Sequence, residues 1–226
     1  MPTADGNGIY DVFEKVPLFH DVFLNMQAMN IHLVDWHLEE MESQLLAEYI
    51  ELEKTPIQSV MLVSALSQMW VFAFYELLRT WRQRIRELIN YSNKLKNVSK
   101  KEKDNIVQER RRYQSSRISA NPDISDYTDA FERIENDDVF VINISNANDL
   151  FLPLFRRLEK TRISLAKHEI AKSSERAYAP GYGRIDMATG SIYWQILDND
   201  DCFDIVSRRS LADQCRELLP HFKTMS

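Results

Sequence analysis

The sequence predicts a mainly α protein, in which a helical bundle is followed by a small C-terminal α+β annex made of a β-hairpin plus a helix. Of its 226 residues, 44% are hydrophobic and 27% charged, so the chain can form a buried core. Five glycines stand against eleven phenylalanines, which favours long helices over a turn-rich sandwich or barrel. We therefore expect a bundle over residues 1–178, including a basic arm at 92–122, and an annex over residues 179–226.

The first two long helices are predicted from apolar residues that recur at three- and four-residue steps. Between about residues 19 and 54 these residues are interleaved with glutamates, which is typical of an amphipathic helix. Thr55-Pro56 predicts the boundary between this helix and the next one, because proline is tolerated in the first turn of a helix. That second helix, about 57–91, is apolar nearly all round in its first half, so residues 60–78 are expected to be almost wholly buried.

The middle of the chain is predicted to contain a polar arm, a short helix, a strand and another long helix. Residues 92–122 hold many charges and few apolar side chains, so a partly helical segment and a mobile arm are both compatible with them. Ser125 can cap a short helix, and the run DVFVIN at 138–143 predicts a brief strand. A long helix is expected from about 147 to 172, and Arg162 falls within its apolar seam.

The annex is predicted from alternation with a period of two. Apolar residues at 192–196 share one face of a strand, and residues 188–190 supply the turn of a hairpin. CFDIV at 202–206 predicts a third strand. A final helix follows, with Ser210 and Asp213 at the spacing of a capping box.

Composition also gives expectations about compartment, membranes and cofactors. The two cysteines lack metal or redox spacing, and no basic region followed by an apolar stretch marks a secretory signal, so a cytoplasmic protein is expected. The most apolar run, residues 60–75, is shorter than the about 20 residues of a membrane span, so no membrane partner is expected. No phosphate-binding glycine loop, HExxH or GxSxG motif occurs, and we expect neither a metal nor a cofactor.

The net charge of −6 hides a strongly basic segment. Residues 76–117 contain thirteen basic and five acidic residues, a net charge of +8, so the rest of the chain carries −14. Such asymmetry is typical of a protein with a polyanionic partner, although a solvated helix face plus a basic loop has the same composition. The residues expected to contact RNA are Arg82, Arg86, Arg110, Arg111 and Arg112.

One spacing in the chain has catalytic character. In RISLAKHE, Arg162 precedes His168 with five residues between them, late in a predicted long helix and after a central helix rich in arginine. Over about residues 35–175 this arrangement resembles the HEPN superfamily of helical nucleotide-binding proteins and ribonucleases, although Ile163 stands where the family usually has a polar residue. The resemblance implies a metal-independent endoribonuclease, of toxin or defence type, whose motif helices meet in a homodimer.

The two side chains suit this chemistry. Histidine exchanges protons near neutral pH, so His168 is expected to act as acid and base while Arg162 holds the phosphate. Residues six apart on an ideal helix are separated by about 120°, so a shared site needs a helix break or a two-fold dimer through the 147–172 helix. Two alternatives stay open: Arg162 pairs with a carboxylate inside the bundle, and the protein is a non-enzymatic helical module for protein–protein interaction.

Overall fold

A computed structural model describes residues 8–120, 125–167, 183–197 and 203–223 of the chain. The helices in these ranges are α1 (Ile9–Phe13), α2 (Val22–Leu52), α3 (Ile57–Lys96), α4 (Lys100–Ala120), α5 (Ser125–Asn136), α6 (Asp138–Lys167), α7 (Arg208–Arg216) and α8 (Leu219–Lys223). The strands are β1 (Arg184–Ile185), β2 (Ile192–Leu197) and β3 (Phe203–Ser207). The predicted fold class, mainly α with a small C-terminal α+β annex, is confirmed.

The long helix α3 is the centre of the bundle and packs against α2 and α6, with α5 and α7 on its flanks. Its aromatic residues are core residues, as the sequence predicts: Trp70, Phe74 and Trp81 are almost completely buried. The indole Nε1 of Trp70 donates to the carbonyl oxygen of Ile31 at 2.9 Å, and that of Trp81 donates to the carbonyl oxygen of Pro17 at 2.9 Å. These bonds satisfy the polar end of each ring, so both rings are buried without an unpaired donor.

The prediction that residues 60–78 are almost wholly buried is wrong. One side of this stretch faces solvent: Met61, Leu62 and Met69 are 52–67% exposed, whereas Phe74 is buried. A helix that is apolar on every side has no amphipathic pattern from which its buried side could be predicted. The positions of the neighbouring helices alone decide which side is covered. Among the described helices α3 is the one long and apolar enough to cross a membrane by length and composition, and 28% of its most apolar window is buried.

The segment DVFVIN is helical, which corrects the strand predicted at 138–143. Asp137 caps α6, because its Oδ1 accepts a hydrogen bond from the backbone N–H of Phe140 at 2.9 Å. Phe140, Ile144 and Ala147 then recur at helical steps and are buried. Burial on a helical face therefore overrides the strand propensity of the β-branched residues, and α6 begins before its predicted start.

Of the basic arm predicted at 92–122, the first residues continue α3 to Lys96 and residues 100–120 form the helix α4, whereas residues 121 and 122 lie outside the described part of the chain. Its residues from 100 to 113 are exposed or half-buried, which agrees with their polar composition. Gln114 is buried, and its Nε2 donates to the carbonyl oxygen of Thr128 on α5 at 3.4 Å. This bond fixes α4 against the short helix that follows it.

The three strands form one antiparallel sheet in the order β1-β2-β3, with Trp194 paired to Val206, which confirms the predicted hairpin and third strand. In the hairpin turn the N–H of Gly190 donates to the carbonyl oxygen of Asp186 at 2.7 Å. Gly190 has a φ of +76°, and a Cβ at this position would lie 1.9 Å from the carbonyl oxygen of Glu42 on α2. The turn therefore rests directly on the bundle, where only glycine fits.

Buried ion pairs join the annex helix α7 to α2. Arg208 is fully buried and donates from Nε and Nη2 to the two carboxylate oxygens of Glu42, at 3.0 and 2.8 Å. Asp35 lies about two turns before Glu42 on the same face of α2, and it contacts both Arg208 and Arg216. Burial raises the pKa of Asp35 to about 6, although the two arginines act in the opposite direction.

Helix α7 begins with a capping box one turn before the predicted one. The Oγ of Ser207 accepts from the N–H of Ser210 at 3.0 Å, and the Oγ of Ser210 accepts from the N–H of Ser207 at 3.0 Å. The predicted cap, with Ser210 and Asp213, is therefore wrong. Asp213 instead pairs with Arg216 at 2.7 Å.

Candidate functional site

Arg162 lies near the end of the described part of α6 and is half-buried against α3. Its guanidinium carbon is 4.5 Å from the centroid of the Tyr75 ring, which is a cation–π contact. The Nε of Arg162 is buried and has no hydrogen-bond partner in the described part of the chain. The arginine is thus held on an aromatic surface, with a buried Nε that no described residue accepts from.

His168 lies outside the described residues, because the described part of α6 ends at Lys167. The Arg162–His168 pair therefore stays a prediction. The apolar seam of α6, including Phe151 and Leu158, is buried in the core. A dimer contact through this helix would have to use its other faces.

Arg82 is an interior residue, which argues against the RNA contact predicted for it. Its side chain is 6% exposed, and its Nε donates to the Oδ1 of Asn148 at 3.0 Å. Its guanidinium carbon lies 4.2 Å from the centroid of the Phe155 ring. Burial lowers the pKa of Arg82, and Arg86 lowers it further. An arginine held in this way stabilises the contact between α3 and α6 and does not reach a polyanion.

The other predicted RNA contacts lie on the surface formed by α3 and α4. Arg86 and Arg112 are exposed. Arg111 is also exposed, and its Nη2 pairs with the carboxylate of Glu135 on α5 at 2.9 Å. Arg110 is half-buried and points between the helices. The structure thus brings Arg110 and Arg111 of α4 to α5, with Arg110 in a cleft, and leaves Arg112 exposed.

The cleft occupied by Arg110 has a volume of about 250 Å³ and lies where α3, α4 and α5 meet; we call it the α3–α4–α5 cleft. The guanidinium carbon of Arg110 is 3.6 Å from the centroid of the Phe131 ring, at one wall. Its Nε is buried and finds no hydrogen-bond partner among the described residues. The other residues of the walls are all polar or aromatic and include one carboxylate: Thr80, Gln83, Arg84, Glu87, Tyr113, Gln114, Tyr127 and Thr128.

The other charged groups of the cleft already have partners. Arg84 pairs with the buried carboxylate of Asp21 at 2.8 Å, and its guanidinium carbon is 4.9 Å from the centroid of the Tyr127 ring. The hydroxyl of Tyr127 donates to Glu87 at 2.6 Å. Burial, followed by this hydrogen bond, raises the pKa of Tyr127, so the phenol stays a neutral donor. The Nε of Arg110 is buried without a hydrogen-bond partner among the described residues, as is the Nη1 of Arg84, but the Arg84 nitrogen has the carboxylate of Asp21 beside it.

Sequence reasoning missed Arg84, Tyr113 and Tyr127 as cleft residues. A signal for Tyr113 exists, because RRRY at 110–113 places an aromatic ring directly after three cations, a combination that suits stacked bases and phosphates. Tyr127 carries no such signal, since only the packing of α5 brings it to α3.

No protein-family model, no curated protein and no solved structure matches this chain. The proposed function is therefore based on the geometry of the α3–α4–α5 cleft and of Arg162.

Proposed function

We propose that the protein binds single-stranded RNA and that the strand docks at the α3–α4–α5 cleft. The observation that carries the proposal is the buried Nε of Arg110, which has no hydrogen-bond partner in the described part of the chain although it belongs to a charged group. A buried donor without a partner costs about 1–3 kcal/mol. A phosphate oxygen supplies both the missing acceptor and the opposite charge.

The surroundings of Arg110 favour a nucleic acid over a lone anion. The ring of Tyr113 is 53% exposed and its centroid lies 5.9 Å from the guanidinium carbon of Arg110, so a base can stack beside a bound phosphate. Helix α4 carries seven basic and three acidic residues, a net charge of +4, along the path that leads away from the cleft. A cleft of about 250 Å³ has room for a single splayed base but not for a duplex.

Binding of a short labelled single-stranded RNA, followed by fluorescence anisotropy at low salt, tests the proposal. Arg110→Gln should weaken binding at least about tenfold, because it removes the charge and the buried donor together. Arg79→Gln is the matched control: Arg79 is exposed on α3, pairs with Glu76 and lies outside the cleft. The control should change the affinity less than about twofold.

Two results would overturn the proposal. If Arg79→Gln weakens RNA binding as much as Arg110→Gln does, affinity follows overall charge and the cleft is not the site. If the unaltered protein does not bind single-stranded RNA even at low salt, the proposed function itself is wrong.

Metal-independent cleavage of RNA by Arg162 and His168 is a second candidate function, in line with the resemblance to HEPN ribonucleases. The unused Nε of Arg162 favours it, since this donor can hold the phosphate that is attacked. In this reaction the ribose 2′-oxygen bonds to phosphorus, the bond to the 5′-oxygen breaks, and His168 takes up and returns the proton.

Incubation of single-stranded RNA with the purified protein in EDTA tests this second candidate. The unaltered protein should cleave, and His168→Ala should lose cleavage while it keeps its melting temperature and its RNA affinity. Arg162→Lys, which keeps the charge and loses the fork of donors, should also lose most of its activity. If the unaltered protein does not cleave RNA in EDTA, this candidate is excluded, and the RNA-binding proposal is unaffected.

A further inference from the structure

The helices α2 and α3 expose a row of large apolar side chains on the side turned away from the core. Each of them is 43–64% exposed. We call this surface the outer α2–α3 face; it comprises Phe23, Met26, Leu33, Val34, Leu62 and Met69.

Two contacts fix how the helices that carry these side chains lie against each other. Trp70 of α3 bonds to the backbone of Ile31, so the level of Met69 on α3 corresponds to the level of Leu33 on α2. Towards one end of the pair, Phe23 of α2 lines a groove of about 310 Å³ together with four residues of α3 from 73 to 80 and with Arg84. The helices are therefore antiparallel neighbours, and both expose apolar side chains along their length.

The outer α2–α3 face is as large as the largest apolar patches of ordinary monomers. At the exposed fractions given above, its six residues present on the order of 600 Å² to solvent, and the largest patch on a typical monomer is about 300–600 Å² and is often functional. A standard protein–protein interface takes about 800 Å² from each partner. The six residues therefore present most of the area that one partner of a standard complex contributes.

The distribution of charge indicates which kind of partner binds the outer α2–α3 face. Residues 55–75 contain no charged side chain, so the apolar part of α3 repels no second copy of itself. Helix α2 contains six acidic residues and no lysine or arginine, which opposes binding to an anionic lipid surface. Acidic residues lie at one end of the helix pair, at Glu48 and Glu51, and arginines at the other, at Arg79 and Arg86.

We propose that the outer α2–α3 face binds a second copy of this chain about a two-fold axis that passes near Met69. The axis is perpendicular to the helices, so the acidic end of one pair lies against the basic end of the other and the apolar middle is shared. This interface differs from the sequence-based expectation of a dimer through the 147–172 helix. Its six apolar residues are separate from the proposed RNA site, because none of them lines the α3–α4–α5 cleft.

Light scattering coupled to size-exclusion chromatography tests the association. The unaltered protein should have twice the chain mass of 26.6 kDa, and Met69→Glu should have the mass of one chain with an unchanged melting temperature. Ile142→Glu is the control, since Ile142 is equally exposed but lies on α6, outside the face. The control should stay dimeric.

Cysteine cross-linking tests the orientation, in a Cys202→Ser background in which the remaining Cys215 is buried. Met69→Cys should give a disulfide-linked dimer on mild oxidation, because a residue near a two-fold axis meets its own copy. Met26→Cys, near one end of the helix pair, should give none. Cross-linking of both variants would mean a parallel arrangement and would contradict the proposed axis.

Three results would overturn the proposal. The first is an unaltered protein that is monomeric at micromolar concentration, and the second is a Met69→Glu variant that stays dimeric. The third is sedimentation of the unaltered protein, but not of Met69→Glu, with phosphatidylserine-containing vesicles, which would assign the face to a lipid surface.

Discussion

Arg208 and Glu42 form a bidentate ion pair in which both side chains are completely buried. The residues are 166 positions apart, and their contact fixes the annex helix α7 to α2. Arg209 shares the same carboxylate, with its Nη2 2.8 Å from an oxygen of Glu42. Glu42 therefore pairs with two arginines at the junction between bundle and annex, and Asp35 is a second carboxylate beside Arg208.

Glu42→Gln should lower the free energy of unfolding by up to about 3–5 kcal/mol, because it removes the bidentate partner of the buried Arg208 and leaves Asp35 as the carboxylate beside it. Urea unfolding followed by circular dichroism measures this change. Glu40→Gln is the control: Glu40 is exposed, and the change should stay within about 0.5 kcal/mol. Equal stability of the two variants would show that the buried pair contributes nothing to the junction.

Asp35 should make the protein less stable as the pH rises from about 4 to 6. Its folded-state pKa is raised to about 6, mainly by burial, whereas the unfolded value is close to 3.8. The folded state therefore binds the proton more tightly, and the stability that Asp35 contributes is present below pH 4 and is lost as the pH rises through 6.

Urea unfolding at several pH values checks this prediction against Asp35→Asn, which removes the titrating group. The difference in unfolding free energy between the unaltered protein and the variant should decrease from pH 4 to pH 6. A difference that increases over this range would mean that Arg208 and Arg216 outweigh burial.

Gly190→Ala should destabilise the protein by about 2 kcal/mol or more. The added methyl group would meet the carbonyl oxygen of Glu42, and the φ of +76° is unfavourable for alanine. Ala188→Ser, at an exposed position of the same turn, is the control and should be nearly neutral. Thermal unfolding of both variants gives the comparison. If the Gly190→Ala variant has the same melting temperature as the unaltered protein, the turn does not rest on α2.

The arginines of α4 should set the salt dependence of RNA binding. Neutralising Arg110, Arg111 and Arg112 together should weaken binding at low salt and flatten the plot of log affinity against log salt by about 0.7 for each lost phosphate contact. Anisotropy titrations between about 50 and 200 mM salt measure this slope. Binding whose slope is unaltered would mean that the RNA follows another part of the surface.

The helices of the bundle could be predicted where one face is apolar and the other charged. Helix α2 and the boundary at Thr55-Pro56 follow from such a pattern and are confirmed. The pattern fails at 138–143, because β-branched residues favour a strand only when packing does not decide. The pattern also fails along 60–78, because this stretch is apolar on every side and α2 and α6 leave one of those sides exposed.

The cleft could be predicted only in part. The basic segment 76–117 contains both Arg82 and Arg110, and its composition does not show which of the two is buried. Packing makes one an interior residue against Phe155 and leaves the other in an open cleft. The pair of Arg208 with Glu42 had no local signal at all, because residues so far apart share no periodicity.

The position of Arg208 late in the chain has a consequence for biosynthesis. While the polypeptide is being made, Asp35 and Glu42 exist long before the arginines of α7 that neutralise them. A nascent chain that ends before residue 208 therefore holds two carboxylates on the inner face of α2 with no counter-ion, and this face stays hydrated. We therefore expect helix α2 to reach its final packing only after α7 has been synthesised, and a chain stalled at the hairpin to be more open to proteolysis than the complete one.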